Sequence, residues 1–171
     1  VGTRPTLEAK PVPTQVTIAR VVGAKLPKKQ RDRLDRNVTR VLSHYFDDAF
    51  LGGDYPRKDF SGAFATFSHG AARRARGDRA LLSNAGIGAE TEAVVPRVKA
   101  ARLDVLAPRR HVAGLTARMR LVFVQERADG EDQRVTVSGR LLMARKKSGP
   151  WQVFGYDVTR SSVAATKGAN R

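Results

Sequence analysis

The chain has 171 residues, of which 41% are hydrophobic, 28% charged and 6% aromatic, and it contains no cysteine. That composition excludes a collagen-like or coiled-coil rod, a disulfide scaffold and a cysteine-ligated metal site; the length suits one domain, which buries roughly 70% of its extended surface without staples. Lys and Arg number 32 against 16 Asp and Glu, a net charge of +16 that draws in nucleic acid, an anionic membrane face or an anionic cell-wall polymer, unless it reflects only the arginine-rich codons of a GC-rich genome.

Three prolines, Pro5, Pro11 and Pro13, alternate with charge from Thr3 onward, as in an extended tether. The chain opens on Val1, as a trimmed or processed product would. Residues 1–26 are read as this tether, with a short β-branched strand over Gln15–Val22. Pro27 then sits where a first helical turn tolerates a missing N–H. Behind it Leu34, Val38, Val41, Leu42, Tyr45, Phe46, Ala49 and Phe50 recur at helical spacing, predicting one apolar stripe on a helix of about 24 residues. Arg31, Arg33, Arg36 and Arg40 fall on the opposite face, and Gly52-Gly53 ends the helix. Asp59 is placed to cap a second helix, with Phe60, Ala63, Phe64 and Phe67 on one side and a break at Gly70. Short helical pieces follow over Ala71–Arg76 and Asp78–Leu82, stopped by Asn84-Ala85-Gly86.

After Gly88 the apolar period falls from 3.6 to 2. Strands are expected over Val94–Leu106, His111–Arg127, Arg134–Arg145 and Trp151–Arg160, with turns at Asp129-Gly130 and Lys147-Ser148-Gly149-Pro150. Ala113, Leu115, Ala117, Met119, Leu121 and Phe123 point one way; Val112, Thr116, Arg118, Arg120 and Val122 point the other. Helices followed by strands predict an α+β domain over residues 27–160: a four-stranded antiparallel meander curled around the long helix, its twist eased by Gly114, Gly139 and Gly155. Residues 161–171 are read as a flexible tail.

The segments Tyr45–Phe50, Phe60–Gly70, Asp78–Ala85, Val137–Leu141 and Trp151–Val158, taken with this order of elements, resemble the NTF2-like superfamily, a cystatin-like α+β cone. Within it, the chain is similar to uncharacterised extracytoplasmic proteins of actinobacteria, including the soluble domains of Mce-associated membrane proteins. The resemblance implies a secreted or membrane-tethered accessory module whose cone, lined by Tyr45, Phe64, Met119, Phe123 and Met143, takes a small apolar ligand or an envelope partner. A homodimer through the sheet is also compatible with it. An NTF2-like enzyme of isomerase or dehydratase type would instead need a buried carboxylate as proton shuttle and a tyrosine or second acid beside it. The candidates are Asp47, Asp48, Asp157, Tyr45 and Tyr156, although Tyr156 and Asp157 fall on opposite faces of one strand.

Other chemistry finds little footing. No Gly-x-Ser-x-Gly elbow, Walker-type loop or His-Glu-x-x-His pair occurs. Gly86-Ile87-Gly88 reads as a turn, Arg76-Gly77-Asp78 as a cap between helices, and Glu126, Asp129, Glu131 and Asp132 as a solvated hairpin. His44, His69 and His111 fall on three different elements, so no metal or other cofactor is expected. The cations placed to contact an anion are Arg73, Arg74, Arg118, Arg120 and Arg140. They are spread around the molecule and away from the aromatics; the partner the resemblance implies is an anionic envelope surface or a protein. Toward nucleic acid they predict only weak, salt-sensitive and sequence-blind contact.

Overall fold

The structure, a computed structural model, describes residues 11–166; the start of the expected tether and the end of the expected tail lie outside them. Helix α1 spans Lys28–Phe46 and continues as a single π-type turn over Asp47–Leu51. Leu34, Val38, Leu42, Tyr45, Phe46, Ala49 and Phe50 are buried along it, while Arg31, Arg33, Arg36 and Arg40 stay exposed. Each large apolar side chain so buried contributes about 1.5–3 kcal/mol, and this stripe rather than helix propensity holds α1 in place.

A helix ends with carbonyls that lack intrahelical partners, and here the loops that follow supply them. The Arg57 guanidinium donates to the carbonyls of Gly52 at 2.9 Å and Asp48 at 2.5 Å, and its Nε donates to Asp59 O at 2.9 Å. It lies 4.1 Å above the Phe60 ring. Asn84 and Tyr55 satisfy the carbonyls of Ala49 and Phe50 between them. Arg57→Met keeps the apolar stem and loses every one of these donors, with an expected cost of about 1–3 kcal/mol. The reading is a lower urea midpoint at unchanged m; a midpoint equal to that of the parent protein would contradict the capping role.

Five strands lie side by side in chain order: β1 (Gln15–Gly23), β2 (Thr91–Ala107), β3 (Gly114–Arg127), β4 (Gln133–Arg145) and β5 (Trp151–Ala164). β2 to β5 form an antiparallel meander. β1 joins it in parallel, from Gln15 opposite Ala100 to Gly23 opposite Ala107, with a one-residue bulge between Ile18 and Arg20. The sheet is therefore mixed and five-stranded, not the four-stranded antiparallel meander expected. Parallel neighbours need a long crossover, and α1 with the short helices provides it, turning the strand anticipated in the lead into a sheet edge. β5 also runs beyond Arg160, pairing Ala164 with Gln133 in the stretch expected to be a tail.

The helix expected after Asp59 is absent. Residues 61–66 form successive turns, and α2 (His69–Gly77) runs through Gly70. Asp59 takes the N–H and hydroxyl of Ser61, a local alternative to helix. Next, Ser68 N–H and Val153 N–H bond across to Val153 and Thr66 carbonyls, holding the chain extended against β5. Phe60, Ala63, Phe64 and Phe67 still face the core. α2 and α3 (Arg79–Leu82) complete the helical layer. Beneath it the inner sheet face presents Leu103, Val105, Leu121, Phe123, Val137 and Leu141.

Candidate functional site

The inner side is filled by its own side chains. Tyr45, Phe123, Met143, Met119 and Phe64 are all buried. The Tyr45 ring centroid lies 5.1 Å from that of Phe67 and 5.7 Å from that of Phe50, which in turn lies 6.1 Å from Phe123. The Tyr45 hydroxyl donates to Leu82 O at 2.8 Å, and burial pushes the phenol well above its ordinary range. The carboxylates do not converge on it. Asp47 is exposed, 4.0 Å from the inward-facing Lys99 ammonium. Asp48 offers Arg57 its carbonyl. Asp157 stands on the outer face beside Arg140. Tyr156 faces inward, donating to Asp78 at 2.6 Å, and is pushed up to about 12 by burial and by that acceptor. Among the described residues no group of His, Asp and Glu is placed to hold a metal ion.

A buried polar cluster escaped the sequence reading. Arg160, near the end of β5, donates to Ser83 O at 2.9 Å and to Asn84 Oδ1 at 3.0 Å. Asn84 Nδ2 donates to Phe50 O at 3.0 Å and to the Tyr55 hydroxyl at 3.2 Å. Arg160 has no carboxylate within 4.0 Å among the described residues, and burial pulls its guanidinium below the usual value. The cluster pins the loop after α3 and the end of α1 onto the sheet. The only hint of it in the sequence is an asparagine at a helix stop, a residue type chosen as often for its turn as for its amide.

The outer sheet face is where charge gathers. Strand register sets residues in lines across it. Thr17, Arg102, Arg118, Arg140 and Asp157 are successive cross-strand neighbours from β1 to β5. The next line reads Arg20, Asp104, Thr116, Leu142 and Gly155, and the line on the other side holds Ala100, Arg120, Ser138 and Thr159. Asp104 pairs with Arg118 at 3.1 Å and with Arg20 at 4.0 Å, and Asp157 pairs with Arg140 at 2.8 Å. Among the described residues, Arg102 and Arg120 have no carboxylate within 4.0 Å. A groove of about 560 Å³ opens here between Arg20, Arg102, Arg118 and Arg140.

Of the expected anion contacts, Arg118, Arg120 and Arg140 thus share one surface, joined by Arg20 and Arg102, which only the pairing of β1 and β2 reveals. Arg73 and Arg74 do not belong to it: both lie on α2, where Arg73 approaches His69 and Arg74 donates to Phe154 O at 3.1 Å. A second groove, of about 750 Å³, runs between β1 and α1 and mixes Asp32 and Asp35 with Arg36 and Arg40. Compared with protein-family models, curated proteins and solved structures, the chain finds no match.

Proposed function

We propose that this chain is a binding module, without catalysis of its own, that engages an anionic surface or polymer through the open face of its sheet. The observation that carries this reading is the arginine line. Arg102, Arg118 and Arg140 stand directly opposite one another on adjacent strands, an arrangement of like charges that costs stability in a sheet. Asp104 and Asp157 offset part of that repulsion; an approaching anion relieves the remainder, centred on Arg102, and Thr116, Thr136 and Ser138 on the same face add hydroxyl donors. An apolar ligand inside the molecule has less in its favour, because the side chains expected to line its pocket pack on one another. Within this reading the module works outside a bacterial membrane, as a member of the NTF2-like, Mce-associated group would, with α1 laid under the meander.

The test is affinity for a heparin oligosaccharide across a salt series. Replacing Arg102, Arg118 and Arg140 together by serine is expected to lower the slope of log affinity against log salt by roughly 2–3, about one released counterion for each cation lost. At low salt the triple variant should unfold no more easily than the parent. Replacing Arg33 and Arg36 on α1 by serine should leave the slope unchanged. Equal losses from the two sets would mean that dispersed charge, not this face, does the binding.

A further inference from the structure

The two ends of the sheet differ in charge. Around the turn from β3 to β4 and the start of β2 gather Glu90, Glu92, Glu126, Asp129, Glu131 and Asp132. At the opposite end, where β1 and β2 finish and the turns from β2 to β3 and β4 to β5 lie, stand Lys25, Arg109, Arg110, Arg145, Lys146 and Lys147, all exposed. The segments that build this end, residues 21–29, 105–115 and 143–153, contain no aspartate or glutamate.

The same end is apolar on its outer rim. Val22 pairs with Leu106, and the bulge that contains Phe154 lies beside Leu142. These are four of the five exposed large apolar side chains among the described residues, with Val22 at 47%, Leu106 at 50%, Phe154 at 46% and Leu142 at 38% exposure; the fifth, Val163, lies far along β5. Arg109, Arg110 and Lys147, moreover, hold left-handed backbone conformations, with φ of 53°, 66° and 47°. Glycine or asparagine adopts such a conformation at lower cost, so the three cations occupy positions that their backbone conformation does not favour.

We propose that this basic end docks on an anionic lipid bilayer, its turn cations against the headgroups and Val22, Leu106, Leu142 and Phe154 dipping into the interface. The inference rests on the anionic-surface reading above and names the surface. Apolar side chains ringed by cations, three of the four aliphatic, suit the boundary between headgroups and acyl chains, whereas a single-stranded nucleic acid would call for several aromatic rings on which successive bases stack. With the acidic end facing away, the charge polarity also fixes the orientation of the molecule on the bilayer.

The test is flotation of the full chain with phosphatidylcholine vesicles, with and without phosphatidylglycerol. Binding is expected only when phosphatidylglycerol is present. The variant Arg109→Asn, Arg110→Asn, Lys147→Asn should bind about 100-fold more weakly, at about 0.7 decade per cation, yet melt no lower than the parent because asparagine accepts the left-handed backbone. Leu106→Ser with Phe154→Ser should weaken vesicle binding about tenfold or more and leave heparin affinity unchanged. Retained heparin binding without vesicle binding would overturn this inference and spare the broader reading; loss of both would overturn both. Duplex DNA bound more tightly than the vesicles, and indifferent to Leu106→Ser with Phe154→Ser, would assign the face to nucleic acid instead.

Discussion

Gly139→Ala is expected to cost about 3–6 kcal/mol, enough to unfold a domain of ordinary stability. Gly139 sits within β4 at φ +145°, where a side chain is strained regardless of space. A Cβ built there would stand 2.1 Å from Asp157 O and 2.8 Å from Val158 Cα, both backbone atoms of β5 that cannot swing aside. The close approach also has a role on the outer face, since it brings Arg140, the next residue, opposite Asp157 at the end of the arginine line. Gly155→Ala is the control. Its Cβ would meet only the Leu142 side chain, 3.1 Å away at the nearest atom, and a flexible side chain yields for about 1 kcal/mol or less. Urea unfolding of both variants checks the pair, and similar losses would show that β4 and β5 do not approach as closely as described.

Asn84→Ala comes second, at roughly 3 kcal/mol or more, because several groups lose a partner together. Phe50 O loses its amide donor, and the Arg160 guanidinium loses one of its two acceptors while still half-buried and without a carboxylate. Asn84→Asp should be no milder: a carboxylate would welcome Arg160 but cannot donate to Phe50 O or Tyr55. Adding Arg160→Met to Asn84→Ala should cost less than the sum of the two single changes, since removing the charge removes the need for its acceptor. A double-mutant cycle reads this coupling directly. Strict additivity would mean that the two side chains do not form one unit.

What was legible in the sequence followed from local periodicity. The α1 stripe from Leu34 to Phe50 declared itself by spacing, and the outward arginines of β3 by alternation with Leu115, Ala117 and Met119. Turn chemistry placed the hairpin at Asp129-Gly130, where Gly130 takes φ +75°. What was hidden depends on pairing between distant segments. Gln15–Val22 reads as a strand from its β-branched residues, but nothing local says that it pairs with residues 100–107. The helix forecast after Asp59 failed for the same reason: the bonds that hold residues 66–68 extended come from Val153. Arg102 completes the charged line only once β2 is set against β3. Arg160 was the least legible, for its neutral acceptors leave no complementary charge in the sequence to announce them.

Arginine Nε–H resonances, followed by NMR during titration with a heparin oligosaccharide, test most directly whether the outer sheet face is the binding surface. Signals of Arg102, Arg118, Arg120 and Arg140 should move together and saturate, while those of Arg33, Arg36 and Arg73 on the helical side stay still. Movement of the helical arginines first, or of every arginine alike, would contradict the account.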